Sequence, residues 1–315
     1  MHRLLSSRYL PLALLAMIIA LLPFVFPSGY YFRVAALVWV SALAAIGLNI
    51  LMGLAGQVSL GHAGFFGIGA YAVAIGPAYL GIPPWAALIL GAMLSGALAF
   101  LIGRPILRLR GHYLAIATLG LGVLVALMIT SESRWTGGPD GMSVARLELF
   151  GWRLAGSETW YWISGAVLVL GAWLALNLED SPTGRAFRAL HESEVAAGVA
   201  GIDVARFKLR AFVIAAVYAS VAGSILAFMN GFITPDAAGF LHSVELVTMV
   251  VVGGLGSVAG SVVGAAVLVT LPQVLTVFHK YEHLMLGLLI MLAMIFLRQG
   301  IVPSLAAILP RRRPA

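Results

Sequence analysis

One glycine-rich segment early in the chain gathers side chains that can form hydrogen bonds. From Gly47 to Tyr71 the sequence reads GLNILMGLAGQVSLGHAGFFGIGAY, with carboxamide, hydroxyl and imidazole groups among its glycines. Since glycine disfavours a helix by about 1 kcal/mol relative to alanine, a broken or re-entrant helix is expected. Such backbone is tolerated inside a membrane where it lines a cavity. We therefore interpret five residues as the candidate lining of a translocation path: Asn49, Gln57, Ser59, Gly61 and His62.

The same segment has a second explanation, a closely packed glycine interface whose polar groups pair with one another. The sequence leaves both explanations open. For His62 and His112 taken singly, a structural hydrogen bond explains the residue better than a ligand role, because polar side chains inside membranes are usually paired.

A second unusual segment, residues 179–210, places many polar residues between two long apolar runs. It reads EDSPTGRAFRALHESEVAAGVAGIDVARFKLR. Ser181, Ser193 and Asp203 are helix N-cap candidates, so short helices are expected, with small residues at their tip. The mixture of caps and charges of both signs favours a docking platform over a merely solvated loop, which is the alternative. The candidate contact residues are Arg185, Arg188, Ser193, Glu194, Ala196, Ala197, Gly201 and Ile202.

Motifs that the sequence lacks argue against several classes of protein. Its only lysines are Lys208 and Lys280, and neither follows a phosphate-binding glycine loop, so the chain is not expected to be an ATPase. No HExxH, GxSxG or paired-carboxylate pattern occurs, so neither a catalytic nor a metal site is predicted. Without cysteine, disulfides and thiolate ligands are excluded. No charge lies clearly within an apolar run, which weakens proton- or voltage-coupled transport.

The elements that carry these residues are predicted to be membrane helices. Of the 315 residues, 61% are hydrophobic and 10% charged, with a mean hydropathy of +1.02, whereas soluble domains are roughly 45–50% apolar. We expect an all-α integral membrane protein with a single transmembrane domain over residues 1–315. About ten spans of bilayer-crossing length are predicted. They lie near residues 10–26, 34–52, 62–80, 84–102, 113–130, 160–178, 209–229, 243–255, 258–275 and 284–297.

Charge placement predicts how these spans are oriented. Most of the 19 lysines and arginines fall in loops that an N-inside topology assigns to the cytoplasm. Both termini are therefore expected in the cytoplasm, and the net charge of +7 calls for no nucleic-acid partner. Residues 179–210 then form a cytoplasmic loop, whereas residues 131–159, with the turn sequence TGGPDG, form an extracytoplasmic one. The first apolar run is expected to be a retained span rather than a cleaved signal peptide.

Three segments resemble permeases of ATP-binding cassette (ABC) importers. Residues 184–204, GRAFRALHESEVAAGVAGIDV, are similar to their cytoplasmic coupling segment, in which an EAA triplet precedes a glycine, although a valine splits the triplet here. The glycine-rich residues 47–71 resemble the LivH and LivM permeases of branched-chain amino acid importers. Residues 111–141, with GHYLAIATL and TGGPDG, resemble the LivM type in particular. The similarity covers most of the chain.

By this resemblance, the chain would be a LivM-type permease subunit in the bacterial plasma (inner) membrane, importing leucine, isoleucine and valine. A second, LivH-like permease would complete the translocation path in the lipid bilayer. Two ATP-binding subunits, which hold ATP-Mg, would dock on the contact residues of the 179–210 loop, and an extracytoplasmic amino-acid-binding protein would deliver the cargo. No cofactor is expected in the chain itself. The alternatives are permeases for urea, short amides, other amino acids or sugars, and, from another class, an ion-coupled carrier or channel.

Overall fold

The polypeptide is almost entirely helical where it is described. The computed structural model describes residues 9–109, 111–149, 152–275, 287, 291 and 300–308. Long apolar runs form helices because a helix satisfies its own backbone hydrogen bonds in lipid. The α-helices are α1 (Leu10–Leu21), α2 (Gly29–Asn49), α3 (His62–Tyr79), α4 (Pro84–Ile106), α5 (His112–Ser131), α6 (Ser133–Thr136), α7 (Ser157–Asp180), α8 (Pro182–Glu192), α9 (Glu194–Val199), α10 (Val204–Asn230), α11 (Phe240–Gly253), α12 (Val258–Leu275) and α13 (Ile301–Ile308).

Among the described residues, five helices are long and apolar enough to cross a bilayer. They are Gly29–Leu54, which is α2 with a π-helical turn that continues it, and α4, α5, α7 and α10. Three shorter apolar helices cover Leu10–Phe24, Phe240–Gly253 and Val258–Gln273. The prediction of an all-α, multi-pass membrane protein is therefore confirmed. The number of spans stays a prediction, because the run at 284–297 lies outside the described residues apart from 287 and 291.

Helices α2, α3 and α10 form the centre of the molecule, with α4, α5 and α7 packed around them. The apolar window of Gly29–Leu54 is 83% buried, against 33% for that of α4 or α5. In lipid the hydrophobic effect does not drive helices together, so their association depends on van der Waals packing. Small residues at the interface allow that close packing. Gly69 and Gly223 bring α3 and α10 so near that a Cβ on either would collide with backbone of the other helix. Ser224 Oγ on α10 also donates to the Gly69 carbonyl oxygen at 2.9 Å.

Short strands tie together two loops at one end of the helices. The strands are β1 (Met142–Ser143), β2 (Glu148–Leu149), β3 (Trp152–Arg153) and β4 (Phe232–Ile233). β1 pairs antiparallel with β4, and β2 with β3. The turn predicted at TGGPDG is confirmed as a 3-10 turn, Gly138–Asp140. The 27 residues of α10 separate these loops from α8 and α9 by roughly 40 Å, so the two polar regions lie at opposite ends of the helices.

Candidate functional site

The glycine-rich segment is interrupted where its glycines cluster. α2 ends at Asn49, the π-helical turn continues to Leu54, and residues 55–61 are non-helical before α3 begins at His62. Gly56 has a φ of +68°, a left-handed conformation that favours glycine. We name residues 55–61 the break. Its backbone groups lie outside an α-helical ladder, so they must find other partners.

Asn49 ties the end of α2 to the loop between α11 and α12. Its Nδ2 atom donates to Ser261 Oγ at 2.7 Å and to the Ser257 carbonyl oxygen at 2.9 Å. Its Oδ1 atom accepts a hydrogen bond from Gly256 N at 2.8 Å. The side chain is buried, and both ends of its amide are engaged. In this conformation Asn49 therefore acts as a clamp between two segments and has little capacity left for a solute.

The far end of the break is pressed against α5. A Cβ at Gly61 would collide with the backbone of Thr118, and a Cβ at Gly122 would lie 2.7 Å from Gly61 Cα. Leu60 N donates to Thr118 Oγ1 at 3.2 Å. Gly61 is therefore needed for the close approach of two backbones, and a larger residue would push α5 away.

Ser59 and His62 keep hydrogen-bonding capacity at this end of the break. Both are buried, and His62 Nε2 lies 3.0 Å from the Ala215 carbonyl oxygen on α10. Within the described part of the chain, His62 Nδ1 and Ser59 Oγ have no hydrogen-bond partner. An unpaired buried polar atom costs about 1–3 kcal/mol. These two atoms are thus the ones that gain most from a polar solute or a water molecule at the break.

The polar loop folds as its capping residues predict. Ser181, Ser193 and Asp203 each accept a hydrogen bond from a backbone N–H in the first turn of α8, α9 and α10, at 3.1, 3.2 and 3.1 Å. Such a cap stabilises a helix by about 1 kcal/mol. Phe187 of α8 is fully buried and meets the Phe207 ring of α10 edge-on at 6.3 Å. We name α8 and α9 together the platform, which is anchored on α10.

Arg185 and Arg188 hold the platform to α7. Arg185 Nη1 donates to the Asp180 carbonyl oxygen at 2.9 Å, and Arg188 Nη1 donates to the Glu179 carbonyl oxygen at 2.8 Å. Cations near a helix C-terminus also oppose the negative end of its dipole. Two of the predicted contact residues therefore bond the last carbonyls of α7.

The outer face of α9 is apolar and exposed. Val195 is 70% exposed and Val199 is 87% exposed. Ala196 between them is exposed as well. Together these side chains form a small apolar patch, which makes this face a candidate surface for a partner. These two valines are not among the predicted contact residues, although their spacing of four residues places them on one helix face.

Ala197, Gly201 and Ile202 close the platform onto α10. Ala197 is buried, and Ile202 N donates to its carbonyl oxygen at 3.0 Å. Gly201 adopts a φ of +84° and thereby ends the short helix. These three predicted contact residues form the turn between α9 and α10. The exposed surface beside them is formed by Val195 and Val199.

Glu194 joins the platform to the break. Its carboxylate forms an ion pair with Lys208 Nζ on α10, whose side chain is 3% exposed. The same carboxylate lies 3.5 Å from Gln57 Nε2 in the break. Beside this contact, a Cβ at Gly56 would lie 3.2 Å from His191 Cα. The predicted path lining and the predicted coupling residues therefore form one continuous site.

Lys208 is the member of this site that sequence reasoning missed. The positive-inside bias explains Lys208 as a charge that flanks a span, but in the structure its side chain is buried. A lysine is rarely buried without a partner. Lys208 lies one turn inside α10, a largely apolar helix. That position in the sequence could have indicated a carboxylate partner nearby.

The apolar helices, the central break and the platform packed on it place this chain among multi-pass membrane permeases. Residues 30–296 match the family described as branched-chain amino acid transport system / permease component, and the chain belongs to this family. The match covers every residue of the break and the platform.

Curated relatives agree with this family. The chain is 36% identical to the high-affinity branched-chain amino acid transport system permease protein LivM of Salmonella typhimurium, over 86% of this chain and 69% of the relative. For LivM of Escherichia coli the identity is 35% with the same coverage. The LivH permease of Escherichia coli is 26% identical over 72% of this chain and 79% of its own length. The LivM-type resemblance is thus confirmed; no solved structure matches.

Proposed function

We propose that this chain is the LivM-type permease subunit of an ATP-driven importer for leucine, isoleucine and valine. The observation that carries the proposal is the 36% identity to a LivM permease over 86% of the chain. The packing of the platform on the break supports a transport role, because motion at the surface can reach the centre of the helices through that contact.

We further propose that about ten spans cross the bacterial inner membrane, with both termini and the platform in the cytoplasm. Residues 131–159 then lie outside, where an amino-acid-binding protein delivers the cargo. A LivH-like permease completes the path. The positive-inside bias supports this orientation.

Two ATP-binding subunits supply the energy in this mechanism, and one of them docks on the exposed valines of α9. When ATP-Mg closes these subunits, the platform moves. The Glu194 ion pair and the contact between Gly56 and His191 carry the motion to the break. There Ser59 and His62 offer weak polar contacts, which suit a zwitterion that must pass rather than remain bound.

Reconstitution tests this proposal. The chain is co-expressed with the LivH-type permease and the ATP-binding subunits of the same genome, and the purified complex is placed in liposomes with its binding protein. We expect ATP-dependent uptake of labelled leucine, isoleucine and valine, and none of urea, acetamide or glucose. Import of a control solute, without import of the three amino acids, would contradict the proposed cargo. A chain that copurifies with no ATP-binding subunit would overturn the importer role.

A further inference from the structure

A groove between α4 and α10 carries more positive charge than the described residues of the chain balance. It has a volume of about 1110 Å³ and is bounded by the second half of α4, the end of α7, the platform and the first half of α10. Five cationic side chains line it: Arg104, Arg108, Arg206, Lys208 and Arg210.

The two carboxylates that line this groove are already engaged. Glu194 is paired with Lys208, and Asp203 lies 3.5 Å from Arg206 Nε. Three guanidinium groups have no carboxylate partner among the residues that the structure describes. They are Arg104, Arg108 and Arg210.

Along α4, the wall of the groove changes from apolar to cationic. Phe100 and Arg104 are four residues apart and share one face of α4, and Arg108 follows in the turn just past the end of the helix. The Arg104 guanidinium lies over the Phe100 ring at 4.5 Å from its centroid. Phe100 is 43% exposed toward the groove. The charged part of this wall lies at the helix end, and the apolar part lies one turn deeper in the membrane.

The wall formed by α10 repeats this order in the opposite chain direction. Arg206, Arg210 and Ile214 share one face at the same spacing. A Cβ at Gly96 of α4 would meet Val217 of α10, whereas one at Gly103 would meet Leu209, so the two helices are antiparallel. The arginines of both helices therefore lie side by side at one depth, above apolar side chains at another.

We propose that this groove binds a phospholipid with an anionic headgroup. Its phosphodiester lies among Arg104, Arg108 and Arg210, and its acyl chains lie against Phe100 and Ile214. Guanidinium groups match phosphate oxygens in geometry as well as charge, and cations beside the ends of membrane helices attract anionic lipids. A zwitterionic lipid brings its own cation and adds no net negative charge beside the three unpaired arginines, whereas an anionic lipid adds one.

The bound lipid would lie beside the ion pair that joins the platform to the break, since Glu194 and Lys208 line the same groove. It therefore braces α4 and α10 where the platform is attached. The proposal rests on neither the cargo nor ATP coupling, because the groove is formed by this chain alone.

Native mass spectrometry of the purified full-length chain in detergent tests the site. Phosphatidylglycerol, phosphatidylethanolamine and phosphatidylcholine with identical acyl chains are titrated separately. We expect one phosphatidylglycerol to bind with a Kd about tenfold lower than that of the zwitterionic lipids. The double variant Arg104→Gln/Arg210→Gln should lose this preference. The matched control Arg134→Gln/Arg146→Gln removes two arginines outside the groove and should keep it. Equal binding of the three lipids, or equal loss in both variants, overturns the proposal.

A second readout protects the test against variants that fold poorly. The wild-type chain, alone and in the assembled importer, is irradiated with a photoreactive phosphatidylglycerol, and the labelled peptides are identified. Labelling of α4 and α10 in both preparations supports the site. Labelling elsewhere contradicts it, as does labelling of the groove that disappears on assembly, because a protein subunit would then be the occupant.

Discussion

At the scale of single residues, Glu194 attaches the platform to α10 and contacts Gln57 of the break. Its partner Lys208 is almost entirely buried, and moving a charge out of water costs several kcal/mol unless a partner compensates. The ion pair is therefore a fixed attachment rather than an exposed contact. The Glu194 carboxylate points toward Lys208 and Gln57. Replacing it therefore breaks contacts within this chain, with α10 and with the break, rather than a contact with a docked subunit.

Charge reversal at this position gives the first prediction. Glu194→Lys places a second cation against Lys208 and should destabilise the chain by about 3 kcal/mol, at the lower end of what breaking a buried pair costs. ATP-driven uptake should fall to background. The exchange Glu194→Lys/Lys208→Glu restores opposite charges and should recover part of both losses. Thermal unfolding and uptake in a double-mutant cycle measure the coupling.

Glu192→Lys is the matched control for that cycle. This residue lies two positions away and is exposed, so the same change of charge should leave unfolding within about 0.5 kcal/mol of wild type. If Glu192→Lys proves as harmful as Glu194→Lys, or if the exchange recovers nothing, the ion pair does not join the platform to the break.

Local chemistry made some of these residues predictable and others not. The caps at Ser181, Ser193 and Asp203 depend only on a side chain and the backbone a few residues ahead, so the sequence predicts them. The partners of Asn49 and Lys208 lie far away in the chain or across helices, and they depend on which segments meet in three dimensions. The same polar residue types occur in the lining of a translocation path and in a packed helix interface. Only the residues around them in three dimensions show which of the two is present.

At the scale of helices, apolar length predicts that a span exists but not where it lies. The span predicted at 84–102 corresponds to α4, whereas the segment predicted at 62–80 folds as helix α3, which is not among the five helices long and apolar enough to cross a bilayer. Lipid tails and helix interiors are equally apolar, so the pattern of side chains does not tell α2 and α10, which lie at the centre, from α4 and α5, which face outward. Their small residues give a partial signal, because glycine and alanine are needed where helices approach closely.

The two glycines of α5 lead to the second prediction. A Cβ at Gly122 would lie 2.7 Å from Gly61 Cα, whereas one at Gly120 would meet no atom within 4 Å. Gly122→Ala should therefore push α5 from the break and lower the free energy of unfolding by about 1–3 kcal/mol. Gly120→Ala should be neutral or stabilise by up to about 1 kcal/mol. Thermal unfolding in detergent compares the variants, and equal effects would show that α5 is not packed on the break as described.

The apolar face of α9 supports a third prediction. Val199 is 87% exposed, so Val199→Asp should change folding stability by no more than about 0.5 kcal/mol. The charge would nevertheless be desolvated in a docked complex, so the association with the ATP-binding subunits should weaken at least about tenfold. Val199→Ile keeps an apolar side chain and is the matched control. Copurification and subunit titration measure the effect; unchanged association in Val199→Asp would mean that the partner docks elsewhere.

At the scale of the whole molecule, two outward faces compete as the surface for a second permease. α4 and α5 are equally exposed along their apolar windows, each 33% buried. The break packs on α5 through Gly61 and Gly122, so a path shared between two permeases reaches the break past α5. The end of α4 nearer the platform carries the proposed lipid groove instead. We therefore expect α5 to face the second permease and α4 to face lipid.

Crosslinking in the assembled importer provides the fourth prediction. The chain contains no cysteine, so Leu124→Cys on α5 and Leu94→Cys on α4 each present one thiol, at positions that are 60% and 51% exposed. A benzophenone attached to that thiol should link Leu124→Cys to the second permease and Leu94→Cys to lipid, since lipid tails surround an unpaired face. Product masses identify the linked partner. Protein crosslinks from Leu94→Cys alone would place the permease interface on the α4 side, and they would also take the arginine groove out of contact with lipid.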